Sequence, residues 1–116
     1  MVKLSDPYFN KLEIDLLTRT LKSGWVTEGK NVEEFEKKFN KIQKSKFSLA
    51  TNSCTSALLV ALKVLGVKKN DEVIVPAFSW TTTANVVEFL EAKCVFVDID
   101  RKTYNIDYRL IKKKNN

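Results

Sequence analysis

Residues 70–100 read NDEVIVPAFSWTTTANVVEFLEAKCVFVDID, and the fold class turns on them. Two compact β-branched runs, EVIVP at 72–76 and CVFVDI at 94–99, are apolar on consecutive positions instead of alternating. Strands of that kind are covered on both faces, as in a parallel sheet. Between them Val86, Val87, Phe89 and Leu90 fall at helical spacing, and the polar residues after Pro76 open the helix. Strand, helix, strand in this order points to a right-handed crossover joining parallel neighbours. The chain therefore reads as α/β.

The same order precedes it. The run KFSLA at 46–50 is short and partly alternating, and a polar turn follows before Ala57, Leu58, Ala61, Leu62 and Leu65 mark a helix stopped by Gly66. With KFSLA as a strand, the sheet has three. Further back, Asp6 and Pro7 look like a helix cap and first position, and Leu12, Leu16, Leu17 and Leu21 continue the pattern to Ser23-Gly24. This predicts a helix over 7–22. After the loop GWVTEGKN, Asn31 and Glu34 resemble a capping box opening a second helix over 32–43, whose one face carries Val32, Phe35, Phe39 and Ile42. The reading is one domain over 1–116 with a helical segment at about 1–45 inside it.

Composition narrows the function classes. At 116 residues the chain has the length of one small domain, and no apolar run approaches the ~20 residues that span a bilayer. The start, MVKLSDPYFN, has no apolar core of a secretory signal, so a cytoplasmic protein with no membrane partner is expected. There is no histidine, which removes Ser-His-Asp catalysis and imidazole-bound zinc from this stretch. The net charge of +6 invites a nucleic-acid reading. Its lysines, however, sit on amphipathic segments (Lys37, Lys38, Lys41, Lys44) or in the terminal IKKKNN, and no RNA-binding motif accompanies them. No nucleic acid is expected. Cys54 and Cys94 have no context that asks for a disulfide or a metal.

The chemistry gathers in the polar turn Thr51, Asn52, Ser53, Thr55 and Ser56. A helix needs an N-cap, and Ser or Asn supplies one. A hydroxyl-rich turn entering a helix is also where orphan N–H groups and the positive end of the dipole can hold a phosphate. Neither the triphosphate cradle G-x-x-x-x-G-K-[ST] nor the dinucleotide fingerprint G-x-G-x-x-G occurs, and none of the three glycines lies in the turn. A phosphate here depends on N–H groups around Cys54 to Ser56 and the hydroxyls of Thr55 and Ser56, with the N–H groups of Thr55 and Ser56 facing open space. By residue type alone, cap and phosphate site both stand. Trp80 likewise reads as a core tryptophan between helix and sheet, and Trp25 as the anchor of a surface turn.

Four strings occur in a fixed order: GWVTEGKNVEEFEKKF from Gly24, ATNSCTSALLVAL from Ala50, NDEVIVPAFSWTTTANVV from Asn70 and CVFVDIDRKTYNID from Cys94. Together, over about residues 21–107, they resemble the N-terminal part of the DegT/DnrJ/EryC1/StrS family. The resemblance implies a sugar aminotransferase dependent on pyridoxal 5′-phosphate, with the major domain of a fold type I transferase: a parallel-rich sheet with helices on both faces. It implies that Thr55 and Ser56 hold the cofactor phosphate and that Trp80 stacks on the pyridine ring. Trp25, Thr27 and Gly29 become neighbours of a nucleotide-linked sugar. It further implies a homodimer that takes its amino group typically from glutamate. Some relatives are sugar dehydratases instead, and a non-catalytic fragment is the remaining alternative. The family's cofactor-bonding lysine and the acidic partner of the pyridine nitrogen lie downstream of these motifs. None of Lys112, Lys113 and Lys114 has the context of the cofactor-bonding lysine, so no catalytic residue is assigned within 1–116, and this stretch alone is expected to bind the cofactor weakly and not to transaminate.

Overall fold

A computed structural model describes residues 5–112, with the chain in two compact units, Met1–Ala50 and Thr51–Asn116. Lys113 and Lys114 of the basic tail lie outside the described residues.

In the first unit, α1 covers Lys11–Lys22 and α2 covers Lys30–Gln43. The cap of α1 is Asn10 and not Asp6, so the helix begins four residues later than Pro7 suggests. Asn10 Oδ1 accepts the Leu12 N–H at 2.7 Å while the Glu13 carboxylate accepts the Asn10 N–H at 2.8 Å, satisfying two orphan donors at once. Gly24, at φ +70°, ends the helix in the left-handed region that glycine enters without cost. α2 starts from Gly29, with no side-chain cap. The capping box expected of Asn31 and Glu34 does not form, because the Gly29 carbonyl already accepts from Val32 and Glu33 and places Asn31 inside the helix. The Asn31 amide instead donates to Thr20 Oγ1 at 2.9 Å.

KFSLA forms no strand. A strand needs a neighbouring ladder, and here side chains of α2 take its place: the Ala50 N–H donates to Glu36 Oε1 at 2.7 Å, and the Ser48 hydroxyl donates to Asn40 Oδ1.

The second unit holds α3 (Cys54–Val64), β1 (Glu72–Pro76), α4 (Thr82–Phe89), β2 (Lys93–Val97) and the short α5 (Tyr108–Ile111). β1 and β2 pair in parallel with Val73 opposite Cys94 and Val75 opposite Phe96, so the described sheet has two strands where three were expected. Val75, Val87 and Ala92 form the buried cluster, with Leu62, Val67, Val73 and Cys94 packed against it. Val73, Val75 and Cys94 thus meet α3 through Leu62 and α4 through Val87. Beyond β2 the chain folds back through an antiparallel bridge between Ile99 and Ile106. Arg109 closes this hairpin, its guanidinium reaching Asp107 through Nε at 2.8 Å and Asp100 at 2.9 Å. The hydrogen bond to Asp107, then the Asp107 charge and, less, that of Asp100, raise the Arg109 pKa further.

Connectivity fixes where the site lies. The few residues after α3, including Gly66 at φ +84°, place its C-terminus beside the start of β1. By the rule for helices alternating with parallel strands, its N-terminus belongs on the side of the strands' carboxyl ends. Ligands of open α/β sheets bind along that edge.

Candidate functional site

At the carboxyl edge, Ser53 is the N-cap of α3, at φ −159°. Its Oγ accepts the Ser56 N–H at 3.1 Å, and its carbonyl accepts the Ala57 N–H. The cap reading is thus correct for Ser53, and the expectation that the Ser56 N–H faces open space is not met. The first two N–H groups of the helix, those of Cys54 and Thr55, carry no hydrogen bond among the described residues. They are the donors that an anion at this helix start can use, together with the dipole. The Ser56 hydroxyl donates to Asn52 Oδ1 at 3.0 Å and lies 3.0 Å from Ser53 Oγ, while Thr55 is exposed. Asn52 and Ser53 organise the turn. Residue types place both in the polar turn and offer Ser or Asn as the cap without saying which, although a Ser three positions ahead of a helical Ser is the spacing of a cap.

Residues 77–80 make the second part of the edge. Ala77 donates its N–H to the Val97 carbonyl at 2.8 Å, and the Trp80 carbonyl accepts the Thr83 N–H at 3.0 Å. Ser79 and Thr83 hydroxyls lie 2.9 Å apart. The Phe78 ring rests against Tyr104, centroids 6.2 Å apart and planes tilted by 48°. Trp80, 81% exposed, is not a core residue. Behind the edge, the Cys94 thiol meets the Ala84 carbonyl, and burial followed by the charge and hydrogen bonding of Glu88 push its pKa up. It faces the core and plays no part at the surface.

Trp25, Thr27 and Gly29 meet in the first unit, around a pocket of about 820 Å³ also lined by Arg19, Thr20 and Lys30. The Trp25 indole N–H donates to the Glu28 carbonyl at 2.6 Å, turning the ring back over the loop. A Cβ on residue 29 would stand 2.8 Å from both Cδ1 and Nε1 of that indole, so any side chain here would have to displace the ring, although the backbone, extended at φ −169°, would accept one. Among the described residues no group of His, Cys, Asp and Glu is placed to hold a metal, and no helix is long and apolar enough to cross a membrane.

The family model for the DegT/DnrJ/EryC1/StrS aminotransferases matches residues 7–115. The chain belongs to this family. Its relatives include the spore coat polysaccharide biosynthesis protein SpsC of Bacillus subtilis, 45% identical over 101 residues, which are 87% of this chain and 26% of SpsC. Among solved structures, the pyridoxal-phosphate form of Spr1654 from Streptococcus pneumoniae, assigned as a sugar aminotransferase, superposes with a TM-score of 0.89 at 36% identity. That match covers 97% of this chain and 29% of Spr1654. The Escherichia coli GDP-4-keto-6-deoxy-D-mannose-3-dehydratase, solved with bound hydrated pyridoxal phosphate, gives 0.87 at 34% identity over 95% of this chain and 30% of its own. The chain thus spans between a quarter and a third of the length of these relatives. The fold is that of the fold type I transferases to which these structures belong.

Proposed function

We propose that residues 1–116 supply the phosphate-binding and ring-stacking part of a pyridoxal-phosphate-dependent sugar aminotransferase. The enzyme transfers an amino group, typically from glutamate, to a nucleotide-linked keto-sugar for cell-surface polysaccharide or antibiotic sugars. What supports this reading is that the Cys54 and Thr55 N–H groups at the start of α3 are left unbonded among the described residues, while Trp80, just before α4, is exposed.

These residues fit the cofactor's chemistry. The Cys54 and Thr55 N–H groups and the Thr55 hydroxyl offer donors to a phosphate dianion, and the eleven-residue α3 directs its positive end at the same place. The Ser56 hydroxyl joins them by exchanging its bond to Asn52 for one to phosphate. Trp80 offers a flat indole face that fixes the tilt of a flat heteroaromatic ring. When bound, pyridoxal phosphate supplies an electron sink that lets the amino group pass from donor to sugar. Trp25, Thr27 and Gly29 would contact the nucleotide-linked sugar, the indole held in place by the Glu28 carbonyl. Homodimeric assembly and a cytoplasmic location go with this family reading; neither nucleic acid nor membrane enters it.

A sugar dehydratase is the second reading, favoured by the nearly equal match to the Escherichia coli dehydratase, with TM-scores of 0.87 and 0.89 for the two activities. Residues 1–116 hold what the two share.

Trp25→Phe leaves Trp80 as the single tryptophan, since the chain has two. Titrating this variant with pyridoxamine 5′-phosphate should quench Trp80 saturably, and Thr55→Val with Ser56→Ala should weaken the effect. Quenching that is absent, or indifferent to those two changes, overturns the reading. Transfer itself is followed as passage of ¹⁵N from labelled glutamate to a nucleotide-linked keto-sugar in the full-length enzyme.

A further inference from the structure

We propose that Tyr104 is a positioning residue that sets the turn presenting Trp80, through the Phe78 ring; its bearing on catalysis rests on the role proposed for Trp80. Among the described residues, four non-glycine residues have positive φ: Lys44, Asn70, Glu91 and Tyr104. Lys44 closes α2, Glu91 follows the end of α4, and asparagine tolerates this region well. Tyr104, at φ 58°, is the one aromatic among them, and a bulky side chain is disfavoured there. Glycine would make the same turn without strain. A tyrosine held in this conformation points to a use for its ring.

The surroundings hold that conformation firmly. The Tyr104 N–H donates to the Asp100 carbonyl at 2.8 Å. Asp100 Oδ1 accepts the N–H groups of Lys102 and Thr103 at 2.8 and 3.2 Å, and its other oxygen takes Arg109 Nη2. Arg109 also grips Asp107 through Nε and Nη2, both at 2.8 Å, across the Ile99–Ile106 bridge. The hairpin after β2 is thereby a braced arm, and the Tyr104 ring at its tip meets Phe78 at 6.2 Å. Centroids at that distance and a tilted arrangement belong to the favourable range for aromatic pairs.

Phe78 lies two residues before Trp80 in a connection of only five residues between β1 and α4. The connection is anchored at its start by Ala77 on Val97 and at its end by Trp80 on Thr83. Between these anchors two side-chain contacts reach it: Ser79 meets Thr83 of α4, and Phe78 meets Tyr104, the one restraint here that comes from the hairpin after β2. Removing the ring frees the middle of the turn, and the Trp80 indole at its end gains range.

Time-resolved fluorescence anisotropy of Trp80, in the Trp25→Phe background, reads this motion without any cofactor. Tyr104→Phe should leave the fast depolarisation unchanged, because the ring remains. Tyr104→Gly, which also relieves the backbone strain, and Phe78→Ala should each roughly double its amplitude on the picosecond-to-nanosecond scale while far-UV circular dichroism stays constant. If Tyr104→Gly does not fold, Phe78→Ala carries the comparison alone. Equal depolarisation in folded Phe78→Ala and the parent, or a change in Tyr104→Phe as large as in Tyr104→Gly, overturns the proposal. Because the measurement needs no cofactor, it fails or succeeds independently of the pyridoxamine phosphate titration.

Discussion

The Glu36 carboxylate accepts the backbone N–H of Ala50 at 2.7 Å, joining residues fourteen apart in sequence. A helix side chain here does what a neighbouring strand does in a sheet: it satisfies a main-chain donor that is partly removed from water. The segment leading to the polar turn is therefore held by α2. Glu36→Ala should destabilise the first unit by about 1.5–3 kcal/mol, the range for a hydrogen bond to a charged group. Urea unfolding checks this, with Glu36→Gln recovering most of the loss.

Ser53 separates stability from phosphate binding. Ser53→Ala removes the bond to the Ser56 N–H and should cost about 1 kcal/mol. Aspartate caps as well as serine and complements the dipole, so Ser53→Asp should keep thermal stability within about 0.5 kcal/mol of the parent. Its charge, however, would stand at the place proposed for phosphate. Affinity for pyridoxamine 5′-phosphate should fall while that for pyridoxamine hardly moves, as calorimetry or fluorescence would record.

Gly29→Ala should act through Trp25. The new methyl would meet Cδ1 and Nε1 at 2.8 Å, and the indole must swing away and give up the Glu28 carbonyl. Trp25 emission should shift to the red, and binding of a nucleotide-linked sugar by the full-length enzyme should weaken by about tenfold or more, as for a misplaced contact residue. Gly24→Ala meets no atom within 4 Å but stands at φ +70°, so it should lower stability and leave Trp25 emission nearly unchanged.

The Cys94 thiol gives a pH signature. Burial and then Glu88 hold its folded pKa above the ordinary thiol value, so the protein favours the neutral form. That contribution is fully present below the unfolded thiol pKa and is lost as pH rises through the raised folded value. The stability difference between the parent and Cys94→Ala should therefore shrink as pH climbs through the thiol range. In unfolding curves, a difference constant over that range would contradict this.

The apolar periodicity was enough to locate four helices and the two paired strands, because each carries its pattern within a single short stretch, as Val86 and Val87 do in α4. Features that depend on a partner were not legible in the same way. KFSLA has the composition of a strand, yet Glu36 and Asn40 take its polar groups in place of a ladder. Asp6-Pro7 looked like a helix start, whereas Asn10 and Glu13 together satisfy two donors. The polar turn could be found from residue types, but the division of labour within it could not: Ser53 takes the Ser56 N–H and leaves those of Cys54 and Thr55 unbonded. Nor does residue type reveal that Trp80 stands in solvent, because tryptophan is as common in cores as at sites. The Phe78–Tyr104 contact joins residues whose closeness only the parallel pairing of β1 and β2 creates.

The central claim, that the start of α3 receives the cofactor phosphate while Trp80 meets its ring, is tested most directly by amide-resolved NMR with pyridoxamine 5′-phosphate. That ligand, the form recorded in a second Spr1654 structure, has no aldehyde to react with surface lysines. Even weak binding shifts resonances in fast exchange. The account predicts that the Cys54 and Thr55 amides and the Trp80 indole N–H move together on one saturation curve, and that pyridoxamine, without the phosphate, moves Cys54 and Thr55 far less. Shifts confined to the lysine-rich face of α2, with Cys54, Thr55 and Trp80 unmoved at saturating ligand, would contradict it.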